Sequence, residues 1–188
     1  MSISFYDQSD LFAIGFKSVG SGCLISRKAS IYSPQSITLG DHVRIDDFCI
    51  LSGEISIGSF IHISAYSALY ASFGIEIEDF VTISGRVTIY SQNDDYSGKY
   101  MTNPMLPVEF TNITGGTVVL KKHSIIGAGS IILPGVILNE GCCVAALSLV
   151  KTSLSSWTIY GGVPAKYLKK RNQDIIFLEE KLRDSFLT

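Results

Sequence analysis

Aliphatic residues return at every sixth position along much of this chain. From Leu39 the series runs Ile45, Leu51, Ile57, Ile63, Leu69 and Ile75. With Ile, Leu and Val at 51 of 188 positions, seven successive hits from one start arise by chance about once in ten thousand trials. A companion series four residues on reads Val43, Cys49, Ile55 and Ile61. After a two-residue slip the register resumes as Ile77, Ile83 and Ile89, with Val81 and Val87 as companions. It returns as Leu120, Ile126, Ile132, Leu138, Val144 and Val150, where the companions Ser124, Ser130, Val136, Cys142 and Ser148 are mostly small.

A period of six is not the 3.6 of a helix, but it embeds the strand period of two with a corner between short strands. Three hexads then close one triangular coil of a solenoid, with the large aliphatic residue pointing inward from each flat face. Interior glycines and many β-branched residues argue against a helical reading. An antiparallel sandwich does not keep hexad register over such a length. The expected fold is all-β, a parallel β-helix.

Two stretches depart from the period. Residues 90–116 are polar and rich in Pro and Gly, which reads as a loop thrown out from one corner. Such loops on rigid scaffolds usually serve a site. From Pro164 onward, Tyr167, Leu168, Ile175, Ile176, Leu178, Leu182 and Phe186 are spread among charges, which reads as an amphipathic α-helix with proline in its first turn. The expected organisation is an N-terminal segment 1–20, a β-helix over 21–163 carrying the 90–116 loop, and a capping helix over 164–188.

Composition narrows the function classes. Charged residues make up 17% of the chain, against about 25% in an average soluble protein. The net charge of −2 offers no global field for nucleic acid or an acidic membrane surface, so an anionic ligand must be met locally. No basic-flanked apolar leader opens the sequence, and no uninterrupted apolar run is long enough to span a membrane. Cys23, Cys49, Cys142 and Cys143 show no metal-ligand spacing and suit a reducing cytoplasm. His42, His62 and His123 are scattered, which does not provide a metal cluster.

The hexads, the extruded loop and the ending Gly161-Gly162-Val163-Pro164-Ala165-Lys166 resemble the hexapeptide-repeat acyltransferases with a left-handed β-helix, over residues 21–171. The resemblance implies a left-handed coil, a homotrimer, acetyl-CoA bound between adjacent prisms, and acetylation of an amine or hydroxyl without a metal. The loop Asn93-Asp94-Asp95-Tyr96-Ser97-Gly98 with Met101-Thr102-Asn103-Pro104 is similar to acetyltransferases acting on dTDP-linked amino-dideoxy sugars, of the dTDP-4-amino-4,6-dideoxyglucose type in O-antigen synthesis.

In galactoside and maltose acetyltransferases of the family, the strand matching Val87–Asp94 leads to a catalytic histidine. Here Asp94 stands in that place. A sugar amine needs only to be held unprotonated and relieved of a proton after attack, so a carboxylate base tilts the reading towards N-acetylation. O-acetylation of a sugar or small hydroxylated acceptor is the enzymatic alternative, and a non-enzymatic scaffold the third reading. His62 is the second candidate base. Arg86, Asp95 and Tyr96 are candidate substrate contacts, although Asp94 and Asp95 also fit a turn pair and Arg86 a solvated corner. The resemblance carries Ala128 and Ala146 over as corners along the pantetheine arm, and Lys151, Lys166 and Lys169 as partners of the CoA phosphates. The expected oxyanion donor is a backbone N–H near Ala128.

Overall fold

The computed structural model describes residues 4–185 and shows a prism of stacked parallel coils. The hexad residues form three inward columns, one per face. On the first face Ile31, Leu51, Leu69, Ile89, Ile132 and Val150 lie in register. The second carries Val19, Leu39, Ile57, Ile77, Leu120 and Leu138. The third carries Ile25, Ile45, Ile63, Ile83, Ile126 and Val144, ending against Tyr160. Nearly all are fully buried in one core with the companion residues, and at roughly 25 cal/mol per Å² of apolar area this burial is the main stabilising term.

Corners require a left-handed backbone, which is uncommon for bulky residues. Here His42, Phe60, Phe80, His123 and Trp157 adopt it with φ between 52 and 60°. Their rings stack up one edge, with 5.0 Å between the centroids of Phe60 and Phe80 and 5.3 Å between Phe80 and His123. Stacking contributes about 1 kcal/mol per pair, which offsets part of the cost of about 1–2 kcal/mol at each corner.

The ends carry elements that the hexad pattern does not mark. Helix α1 (Gln8–Ile14) lies within the segment read as 1–20. It places Leu11 in the core, while Tyr6 donates its backbone N–H to Ile25 O on the open edge of the first coil. The described residues from Pro164 onward, expected as one helix over 164–188, do not form one. Lys166–Lys170 is a strand antiparallel to Thr158–Gly161, because the last coil otherwise exposes an unpaired edge. Helix α2 starts only at Ile175 and runs to Ser185; Phe186 lies outside the described residues.

Helix α2 lies against the aromatic edge of the prism. Its Glu179 accepts hydrogen bonds from Lys122 Nζ at 2.7 Å, His123 Nε2 at 2.7 Å and Arg183 Nε at 2.6 Å. The preceding Arg171 donates to the carbonyls of His123 and Gly141. No described helix is long and apolar enough to cross a membrane.

Candidate active site

The extruded loop leaves the first face through a rigid neck. After the strand Thr88–Tyr90, Ser91 is buried and makes three bonds. Its N–H donates to Tyr70 O, its hydroxyl accepts from Phe73 N at 2.8 Å, and its carbonyl accepts from Gly116 N at 2.9 Å. Gln92 and Asn93 then pair antiparallel with Gly115 and Thr114. Gly115 is required there, because a Cβ would lie 2.4 Å from the Phe73 ring.

Beside this neck lies an open groove of about 880 Å³, lined by Ser52, Tyr70, Ser72, Tyr90, Asp94 and Tyr96 and floored by Ile131, Leu133 and Leu149. Ser52, Tyr70 and Tyr90 each follow an inward residue of the first column, so the coil register stacks them on one outward line. The Tyr70 and Tyr90 rings lie 5.3 Å apart at 14°. A carboxylate, several hydroxyls and two stacked rings thus converge on one concavity, the arrangement expected of a small-molecule site. Another groove, between Glu54, Glu76, Glu78 and Thr117, offers mostly carboxylates and suits no anionic ligand.

The candidates taken from the sequence separate. Asp94 and Tyr96 line the groove, and Tyr96 is 91% exposed. Asp95, expected to contact substrate, does not line it. Its carboxylate is taken up inside the loop by hydrogen bonds from Ser97 and Asn112, in that order of effect, which hold it below the usual carboxylate range. The tie forms because the chain turns back at Ser97 and leaves Asn112 directly across the loop.

His62 stands on the third face, its Nε2 2.8 Å from Asp46 Oδ2, while Arg44 Nε holds Oδ1 at 2.7 Å. Burial pushes the Asp46 carboxyl up, but the bonds from His62 and then Arg44 outweigh it and hold it below the ordinary value. Arg86 occupies the corner between third and first faces with φ 61°, its guanidinium carbon 5.8 Å from the Tyr66 ring centroid. Neither His62 nor Arg86 lines the groove. His123 is buried beneath α2.

The residues assigned to the thioester donor gather towards the C-terminal end. Ala128 and Ala146 are exposed at successive levels of the corner that carries Arg86, and Ala128 O accepts the Leu147 N–H at 2.9 Å. Lys166 pairs with Gly161, Lys169 pairs with Ile159, and both lysines are exposed, as is Lys151. Trp157 packs on His123, its ring 6.2 Å away. Among the described residues no group of three or more His, Cys, Asp or Glu is placed to hold a metal ion.

No protein-family model matches the sequence. The chain is 46% identical over 186 residues to dTDP-4-amino-4,6-dideoxy-D-glucose acyltransferase of Escherichia coli, covering 97% of each chain. Among solved structures it is similar to AntD, an N-acyltransferase from Bacillus cereus, in complex with dTDP and 3-hydroxybutyryl-CoA. That match has a TM-score of 0.97 and 51% identity, over 98% of this chain and 99% of the other. The S84C form of AntD, bound to dTDP-4-amino-4,6-dideoxyglucose and coenzyme A, matches at a TM-score of 0.96 and 50% identity, over 98% and 100%. AntD has also been solved as a D94N form with dTDP and coenzyme A. This chain carries Ser84 and Asp94 at the same numbers. Ser84 follows inward Ile83 on the third face, as Asp46 and Ser64 follow Ile45 and Ile63, and nothing in the hexad pattern separates it from those neighbours.

Proposed function

The chain belongs to the family of dTDP-4-amino-4,6-dideoxyglucose acyltransferases, and from that premise we propose that it transfers an acyl group from acyl-CoA to the amine of a dTDP-linked amino-dideoxy sugar. The observation that carries this reading is Asp94 on the rim of the groove formed by Tyr70, Tyr90, Ser52 and Ser72. The amine attacks the thioester carbonyl, a C–N bond forms, the C–S bond breaks, and CoA leaves as the thiol. Asp94 accepts the proton released by the nitrogen as it becomes an amide and hands it on to the departing sulfur, which restores the carboxylate. The oxyanion meets a backbone N–H near Ala128. Acetyl is the acyl group proposed, and the apolar floor of Ile131, Leu133 and Leu149 also suits a short hydroxyacyl chain.

The acting form is a homotrimer. Asp94 leaves the first face where its strands end, whereas Ser84, Arg86, Ala128 and Ala146 stand at the edge where those strands begin. A site holding both sets draws them from two copies. The loop carries apolar side chains suited to such a seam, with Met105 and Val108 almost fully exposed on one chain. Lys151, Lys166 and Lys169 hold the CoA phosphates, Arg86 and Tyr96 contact the nucleotide sugar, and His62 is the reserve base. The four cysteines are free thiols, which suits the cytoplasm, and the product serves surface-polysaccharide (O-antigen) synthesis.

A thiol-release assay tests the reading, with acetyl-CoA and 3-hydroxybutyryl-CoA as donors and dTDP-amino sugars and hydroxylated sugars as acceptors. Release with an amino sugar alone is expected. Release only with hydroxylated acceptors would make the enzyme an O-acyltransferase, and none with any acceptor would make it a scaffold.

A further inference from the structure

Asp94 sits between two fastenings that cross the base of the loop. On one side the backbone of Asn93 pairs with Thr114. On the other, Asp95 Oδ2 accepts a hydrogen bond from Asn112 Nδ2 at 3.1 Å, while Oδ1 accepts from the backbone N–H of Ser97 at 2.7 Å and from its hydroxyl. The side-chain bond therefore continues the antiparallel ladder where backbone pairing stops. Successive side chains of an extended strand point to opposite sides. Asp94 accordingly lines the groove, and Asp95 reaches across the loop.

Little else holds this part of the loop. Beyond the neck, the backbone crosses it at Met101 N–H to Phe110 O. Among the described residues, the other side-chain bonds between residues 95 and 113 are local, as from Met105 N–H to Asn103 or from Thr111 to Val108 O. Among the described residues, the Asp95 to Asn112 bond is the side-chain hydrogen bond that joins the two limbs next to Asp94.

We propose that Asp95 and Asn112 form a clamp that aims the Asp94 carboxylate into the groove, making both of them positioning residues that do not touch substrate. This rests on the reading of Asp94 as proton acceptor. A displacement of about 1 Å at a catalytic group costs up to about a hundredfold in rate.

The test uses thiol release with dTDP-4-amino-4,6-dideoxyglucose and acetyl-CoA. Wild type and Asp94→Asn are run beside Asp95→Ala, Asn112→Ala and the exchanged pair Asp95→Asn with Asn112→Asp. In the exchanged pair the amide at position 95 donates to the carboxylate at position 112, and its carbonyl still accepts from Ser97. Both alanine variants should lose about tenfold to a hundredfold in kcat, with KM and melting temperature little changed, and the exchanged pair should recover most of the loss. An exchanged pair as slow as Asp95→Ala, or Asn112→Ala at wild-type turnover, overturns the clamp while leaving Asp94 in place. An inactive wild type, or Asp94→Asn at the wild-type rate, removes the underlying reading and the clamp with it.

Discussion

His123 Nε2 and Glu179 Oε2 meet at 2.7 Å, with only 6% and 8% of their side chains exposed. The pair joins a corner of the β-helix to α2 across 56 residues of sequence. Lys122 and Arg183 complete the set of donors around the same carboxylate. Burial alone would push the Glu179 carboxyl up, but hydrogen bonds from Lys122, Arg183 and His123 outweigh it and bring it from an ordinary 4.5 to about 2.

A carboxyl depressed in the folded chain contributes stability that is full above its unfolded value near 4.5 and is lost as pH falls towards 2. The displacement corresponds to on the order of 3 kcal/mol. Melting temperatures at about pH 6 and about pH 3 should differ more in wild type than in Glu179→Gln. Equal drops in the two proteins would show that this carboxylate is not the source.

Asp94→Asn keeps the shape of the side chain and removes its capacity to take a proton. Turnover is expected to fall by about a hundredfold or more, while the KM for acyl-CoA stays near that of wild type. Steady-state kinetics with both substrates varied checks this, and near-normal turnover would shift the proton to His62.

Lys166→Ala removes a cation from the edge strand that ends the prism. The expected result is a rise of about tenfold in the KM for acyl-CoA at constant kcat, the signature of lost uniform binding. An unchanged KM would take Lys166 out of the phosphate site.

Ile89 is fully buried between Leu69 and Ile132, directly before groove residue Tyr90. Ile89→Ala should cost about 3 kcal/mol of unfolding free energy in denaturant titration. Thr88→Ala, at a partly exposed outward position on the same strand, should cost less than about 0.5 kcal/mol. Similar costs for the two would contradict the inward column.

The hexads of Leu39 to Leu69 and of Leu120 to Val150 were legible because each residue answers separately to the same demand, burial of one aliphatic side chain per face, whereas Ile75 stands in register with the companion Ile55 because the two extra residues fall before it. The loop at 90–116 was legible as the place where that demand lapses. The N-terminal helix was not, since a single buried residue, Leu11, decides it. Nor was the strand Lys166–Lys170: its residues are all exposed, so no hydropathy signal marks it, and it exists because the last coil presents an open edge.

For the site, sequence alone determined that Asp94 stands on an extruded loop beside a triangular prism. Only the tertiary structure decided that Tyr70 and Tyr90 stack beside it, that Asp95 turns across to Asn112, and that His123 is covered by Glu179. Inward positions follow from a local period, because water expels each apolar side chain whatever its distant neighbours are. Outward side chains choose among solvent and partners many residues away, and that choice is made only once the coils have stacked and the loop has closed.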